Sequence, residues 1–76
     1  MKLNEAEIGH SYKVLSLKGE GKVKRRLRDM GIIRGTIIKY HKVAPLGDPL
    51  QITLRGYELS LRKQDAEIVE VERVEE

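Results

Sequence analysis

Leu50-Gln51-Ile52-Thr53-Leu54-Arg55-Gly56-Tyr57-Glu58-Leu59-Ser60-Leu61 is the stretch whose reading decides the fold. Leu50, Ile52 and Leu54 alternate with polar residues, and Tyr57, Leu59 and Leu61 repeat the pattern. A period of two is the mark of a strand with one face on a core. Gly56 lies between the two runs, so the stretch predicts a β-hairpin with a tight turn.

Working outward, Pro45-Leu46-Gly47-Asp48-Pro49 precedes the hairpin. Two prolines and a glycine in five residues exclude a central strand and predict a loop. Thr36 to Ala44, before it, is rich in β-branched and aromatic residues and predicts a strand. After the hairpin, Arg62 to Ala66 reads as a single turn, and Ile68 to Val74 as a last strand. In that strand Val69 and Val71 alternate with Glu70 and Glu72.

Further upstream, Val23, Leu27 and Met30 recur at i, i+4 and i+7, one face of a short helix over about residues 22–30. Gly31 is placed to cap its end, and the cations near that end suit the helix dipole. Ser11 to Lys18 reads as the first strand. Tyr12 and Val14 alternate in one phase and Leu15 and Leu17 in the other, which predicts a bulge or burial on both sides. Asn4-Glu5-Ala6-Glu7 reads as a turn capped by Asn4, with Leu3 and Ile8 pointing inward.

The expected architecture is all-β. About five antiparallel strands form a small SH3-like barrel, with one short helix inserted after the first strand. Closure is how so small a sheet manages its edges. An OB-type barrel is the nearest alternative. Its helix belongs between the third and fourth strands, where this chain has a proline loop and then a hairpin.

A chain of 76 residues has room for one core, and residues 1–76 are expected to form a single domain. There is no cysteine, which excludes disulfides, iron–sulfur clusters and thiolate zinc sites. No apolar run has membrane-spanning length, and no signal peptide opens the chain, so a cytoplasmic protein without direct membrane insertion is expected.

The net charge is +3, but its distribution is uneven. Lys18, Lys22, Lys24, Arg25, Arg26 and Arg28 stand against Glu20 alone. Asp65, Glu67, Glu70, Glu72, Glu75 and Glu76 stand against Arg73 alone. The chain thus has a basic segment and an acidic tail, read either as two solvated faces or as a partner-binding face.

Catalysis finds no support in these residues. Ser11, Ser16 and Ser60 fall in strands, and none sits on a nucleophile elbow. The tail carboxylates are expected to point at water rather than converge in a cleft. His10 and His41 lack ligand spacing, so no metal site or cofactor is assigned. Lys18-Gly19-Glu20-Gly21-Lys22 lacks phosphate-loop spacing. A nucleic-acid-binding barrel is a competing reading, because the helix supplies phosphate-binding charge. Against it, the chain has three tyrosines and no Phe or Trp for stacking, and its tail repels polyanions.

Arg26-Leu27-Arg28-Asp29-Met30-Gly31-Ile32-Ile33-Arg34-Gly35 resembles the R-L-x-x-M-G-(I/L)-x-x-G signature of the FeoA family. Ala44 to Leu50 resembles that family's P-x-G-D-P loop, and Gly56 to Ala66 its G-x-x-(L/I/V)-(A/S)-(L/I)-R-x-x-(D/E)-A segment. The three motifs stand in order, and the resemblance covers essentially the whole chain. It implies an SH3-like barrel without enzymatic activity, serving bacterial ferrous-iron uptake as a cytosolic accessory protein. The implied partner is the cytosolic region of the FeoB-type membrane transporter. A transition-metal-binding or sensing domain is the further alternative.

Leu27, Met30 and the glycines read best as fold maintenance. Arg25, Arg26 and Arg28 on the helix, with Leu46, Asp48 and Pro49 on a stiff loop, are the candidate partner-binding residues. Polyproline recognition is not expected, because the aromatic groove it needs is missing.

Overall fold

The computed structural model describes residues 1–19 and 21–74. The expectations placed on Glu20, Glu75 and Glu76 lie outside the described residues. Five antiparallel strands form one sheet in the order β4-β3-β2-β1-β5. They are β1 (Ser11–Leu17), β2 (Ile37–Val43), β3 (Leu50–Leu54), β4 (Tyr57–Leu61) and β5 (Val69–Val74). Helix α1 (Lys22–Asp29) follows β1, and the single-turn helix α2 (Lys63–Ala66) joins β4 to β5. This is the predicted all-β order, with the helix after the first strand.

The hairpin forms as the alternation requires. Leu50, Ile52 and Leu54 are buried, and Leu54 pairs with Tyr57 across a two-residue turn. Arg55 and Gly56 both have positive φ, at 48° and 84°. Two successive left-handed residues make the mirror-image turn whose twist matches the flanking strands.

The phase change in β1 is a bulge. Val14 pairs with Val71 and Ser16 with Glu70, which leaves Leu15 as the extra residue. Tyr12 and Val14 enter the core, whereas Leu15 turns outward. On its other side β1 pairs with β2 from Ser11 to Lys13. Hydrogen bonds between Val14 and the Gly35–Thr36 turn follow, and α1 lies beyond.

Helix α1 buries Leu27 completely, with Val23 and Met30 packed at the edge of the same core. Gly31 ends the helix with φ +96°. A methyl group there would meet the Tyr57 hydroxyl at 3.1 Å and a Leu54 methyl at 3.3 Å. The Tyr57 hydroxyl donates a hydrogen bond to the Met30 carbonyl. Left-handed backbone and a closely approaching hairpin both call for glycine here.

Four local expectations need correction. The first turn is a 3-10 helix over Leu3–Glu5, one residue earlier than read, and Asn4 does not cap it. The Lys2 N–H donates instead to the Glu5 carboxylate at 3.1 Å, a side chain long enough to reach back over one turn. Ile8 is exposed, because the extended Ala6 and positive-φ Gly9 swing the chain out before β1; Ala6 packs on the core in its place. Tyr57 lies largely outside the core, since its hydroxyl reaches over to the end of α1. Finally, Asp65 does not point at water, and is 5 % exposed.

Candidate functional site

The six residues singled out from sequence fall on two elements, α1 and the loop between β2 and β3. The structure gives them unequal freedom. Arg26 donates to Asp65 at 2.7 Å, joining α1 to α2. A carboxylate this buried needs a cationic partner. Arg26 therefore has a structural task, and its neighbours Arg25 and Arg28 remain exposed. Neither Arg25 nor Arg28 enters an ion pair among the described residues.

The loop is closed at its base by the Ala44 N–H to the Pro49 carbonyl at 3.0 Å. The Gly47 N–H bonds back to the Ala44 carbonyl at 2.8 Å. The Asp48–Pro49 peptide bond is cis. Asp48 accepts from the Lys63 N–H at 2.9 Å, which satisfies one of the open donors at the start of α2. These bonds hold Leu46 at the tip, 97 % exposed. A leucine left in water on a hydrogen-bonded loop contributes nothing to the core.

A groove the sequence reading did not assemble lies between β1 and α1. It has a volume of about 230 Å³ and is lined by Leu15, Ser16, Leu17, Lys24, Arg28, Ile33 and Arg34. Arg28 was a candidate contact from sequence and Lys24 belonged to the basic segment; the others were not assigned to a contact. The signals were the phase change that turns Leu15 out of the core and the Ile33-Arg34 pair just past the helix stop.

The two histidines are separate and engaged. His10 Nδ1 accepts from Arg73 at 3.0 Å, and His41 hydrogen-bonds Thr53. No three His, Cys, Asp or Glu side chains converge among the described residues. A guanidinium beside His10 opposes a cation at that ring nitrogen. The clear electrostatic perturbation among the described residues is internal. Burial, and secondarily the neighbouring Tyr12, pushes the Tyr40 phenol above its ordinary pKa. No described helix is long and apolar enough to cross a membrane.

The family model of the FeoA domain matches residues 1–73. The chain is 34 % identical over 74 residues to the Fe(2+) transport protein A/Fe(2+) transporter FeoB fusion protein of Porphyromonas gingivalis. That match takes in 97 % of this chain and 9 % of the relative, so the chain spans only a small part of the fusion protein's length. The FeoA-like protein of Clostridium acetobutylicum superposes with a TM-score of 0.93 at 49 % identity, over 100 % of this chain and 88 % of that one. FeoA of Stenotrophomonas maltophilia, solved with zinc and described as an SH3 domain protein, superposes with a TM-score of 0.83 at 28 % identity. The coverage there is 95 % of this chain and 89 % of that one. The fold is accordingly SH3-like. With a family match over nearly its full length, the chain belongs to the FeoA family.

Proposed function

We propose that this protein is a non-enzymatic accessory protein of bacterial ferrous-iron uptake. It acts as one cytoplasmic domain over residues 1–76, docks on the cytosolic region of a FeoB-type transporter and modulates it. The observation that carries this reading is the Porphyromonas gingivalis fusion, in which a domain 34 % identical to this chain is part of one polypeptide with FeoB. Covalent linkage sets a high local concentration of one module at the other, an arrangement useful to modules that touch. Arg25 and Arg28 on α1, with Leu46, Asp48 and Pro49 on the loop, form the proposed contact surface. Arg26 lends it charge while serving the fold.

The test is binding of the fluorescently labelled chain to full-length FeoB in lipid nanodiscs, with and without a GTP analogue. The reading predicts saturable binding that a Leu46→Ser substitution weakens. Binding no stronger to FeoB nanodiscs than to empty ones overturns it.

A further inference from the structure

The groove between β1 and α1 combines three features that point to one kind of occupant. Its cations, Lys24, Arg28 and Arg34, enter no ion pair among the described residues, whereas Lys2, Lys13 and Arg26 do. Its walls carry two large aliphatic side chains turned partly to water, Leu15 at 36 % exposure and Ile33 at 39 %. Its volume of about 230 Å³ lies below the range of metabolite and nucleotide sites, and it suits one or two side chains of a peptide.

These features discriminate among anions. Inorganic phosphate would leave Leu15 and Ile33 uncovered. A nucleic acid would bring bases to a wall with no aromatic ring on which to stack. An extended acidic segment satisfies both halves of the groove, with carboxylates meeting the guanidinium and ammonium groups while a branched aliphatic side chain covers Leu15 and Ile33. The backbone is also favourable. Beyond Val14, β1 has left β2, so its Leu15–Leu17 segment, paired with β5 on one side, has no strand beside it on the side of the groove.

We infer that this groove is a peptide-recognition site for an acidic segment bearing an aliphatic anchor. As a statement about transport it rests on the docking reading above, the segment then belonging to FeoB. Lys24, Arg34, Leu15 and Ile33 thereby join Arg28 as determinants of the contact. Attraction across such a surface is screened over about 10 Å at 0.1 M salt, so recognition weakens as salt rises.

The experiment has two arms. In the first, the nitrogen-15-labelled chain is titrated with a capped acidic peptide carrying one central leucine (Glu-Asp-Leu-Glu-Asp), its lysine counterpart and a short poly-uridine RNA. The inference expects shifts at residues 15–17, 24, 28, 33 and 34 with the acidic peptide alone. In the second, a Lys24→Glu/Arg28→Glu variant and an Ile33→Ser variant are measured against FeoB nanodiscs. Both should weaken binding by about tenfold or more with the amide spectrum otherwise unchanged. No groove shifts with low-millimolar acidic peptide, or stronger shifts with RNA, overturn the inference. Full FeoB affinity in both groove variants, alongside loss in Leu46→Ser, overturns it while leaving docking intact. Groove binding of the acidic peptide with no FeoB binding by the unaltered chain upholds the recognition chemistry and removes the docking reading.

Discussion

Replacing Arg26 by alanine separates the structural cation of α1 from those free to meet a partner. In the folded protein the Arg26 guanidinium lies 2.7 Å from an Asp65 oxygen. At that separation Coulomb attraction is roughly 1.5 kcal/mol at the dielectric constant of water and roughly 6 kcal/mol at an effective value of 20. The arginine side chain is 51 % exposed and the aspartate 7 %, so the pair lies between a surface bridge and a buried one. Surface bridges contribute below about 1 kcal/mol, and breaking a buried one costs about 3–5 kcal/mol. Discounting for the exposed arginine gives a coupling of about 1–2 kcal/mol. Equilibrium unfolding in guanidinium chloride of Arg26→Ala, Asp65→Asn and the double variant measures that coupling directly. For a domain of this size, Arg26→Ala should lower the melting temperature by about 5–15 °C. A coupling below about 0.3 kcal/mol would refute the structural assignment and return Arg26 to the partner-binding set on equal terms with Arg25 and Arg28.

Three further outcomes follow from the same structure. Gly31→Ala should destabilise by about 1–3 kcal/mol, because it combines a left-handed residue with contacts of 3.1 and 3.3 Å; unchanged unfolding would contradict the packing of α1 on the hairpin. Leu46→Ser should leave the unfolding midpoint within about 0.5 kcal/mol of the parent, since the side chain is 97 % exposed. The pH dependence of stability has a defined sign at Tyr40. Its folded-state pKa is raised, so its contribution is complete below about pH 10 and is lost as the pH climbs toward the folded value. Denaturant titrations above pH 10 should show a loss of up to about 1.4 kcal/mol per pH unit that Tyr40→Phe removes.

The hairpin, the helix and the phase change of β1 were all legible in the chain, because each rests on local periodicity. Leu50, Ile52 and Leu54 alternate whatever lies across from them. The change of phase at Leu15 narrows that strand to a bulge or two-sided burial before any partner is known, and the pairing with β5 decides for the bulge. Asp65 was not legible. Nothing within several residues of it shows that the chain will return past α1 and bury a carboxylate against Arg26, 39 positions away. Tyr57 fits the core pattern by alternation, yet its hydroxyl reaches the end of α1 because the turn at Gly31 brings the helix there. The first turn was misplaced by one residue because Asn4 is a strong capping type, whereas Glu5 makes the bond to Lys2 that forms.

The candidate site divides in the same way. Leu46 was named because it lies on a loop stiffened by two prolines. The groove was not, since Leu15, Lys24, Arg28 and Arg34 meet only when β1 and α1 pack side by side. Charge counting found the helix as a whole. Only the fold distinguishes Arg26, tied to Asp65, from Arg28, which lines an open groove.

The measurement that tests the central claim most directly follows the amide signals of the nitrogen-15-labelled chain as full-length FeoB in nanodiscs is added. The docking account predicts selective loss of intensity at Arg25, Arg28 and the 45–49 loop, reversed by an excess of unlabelled chain. Uniform intensities at every FeoB concentration, or losses confined to surfaces remote from α1 and that loop, would contradict it.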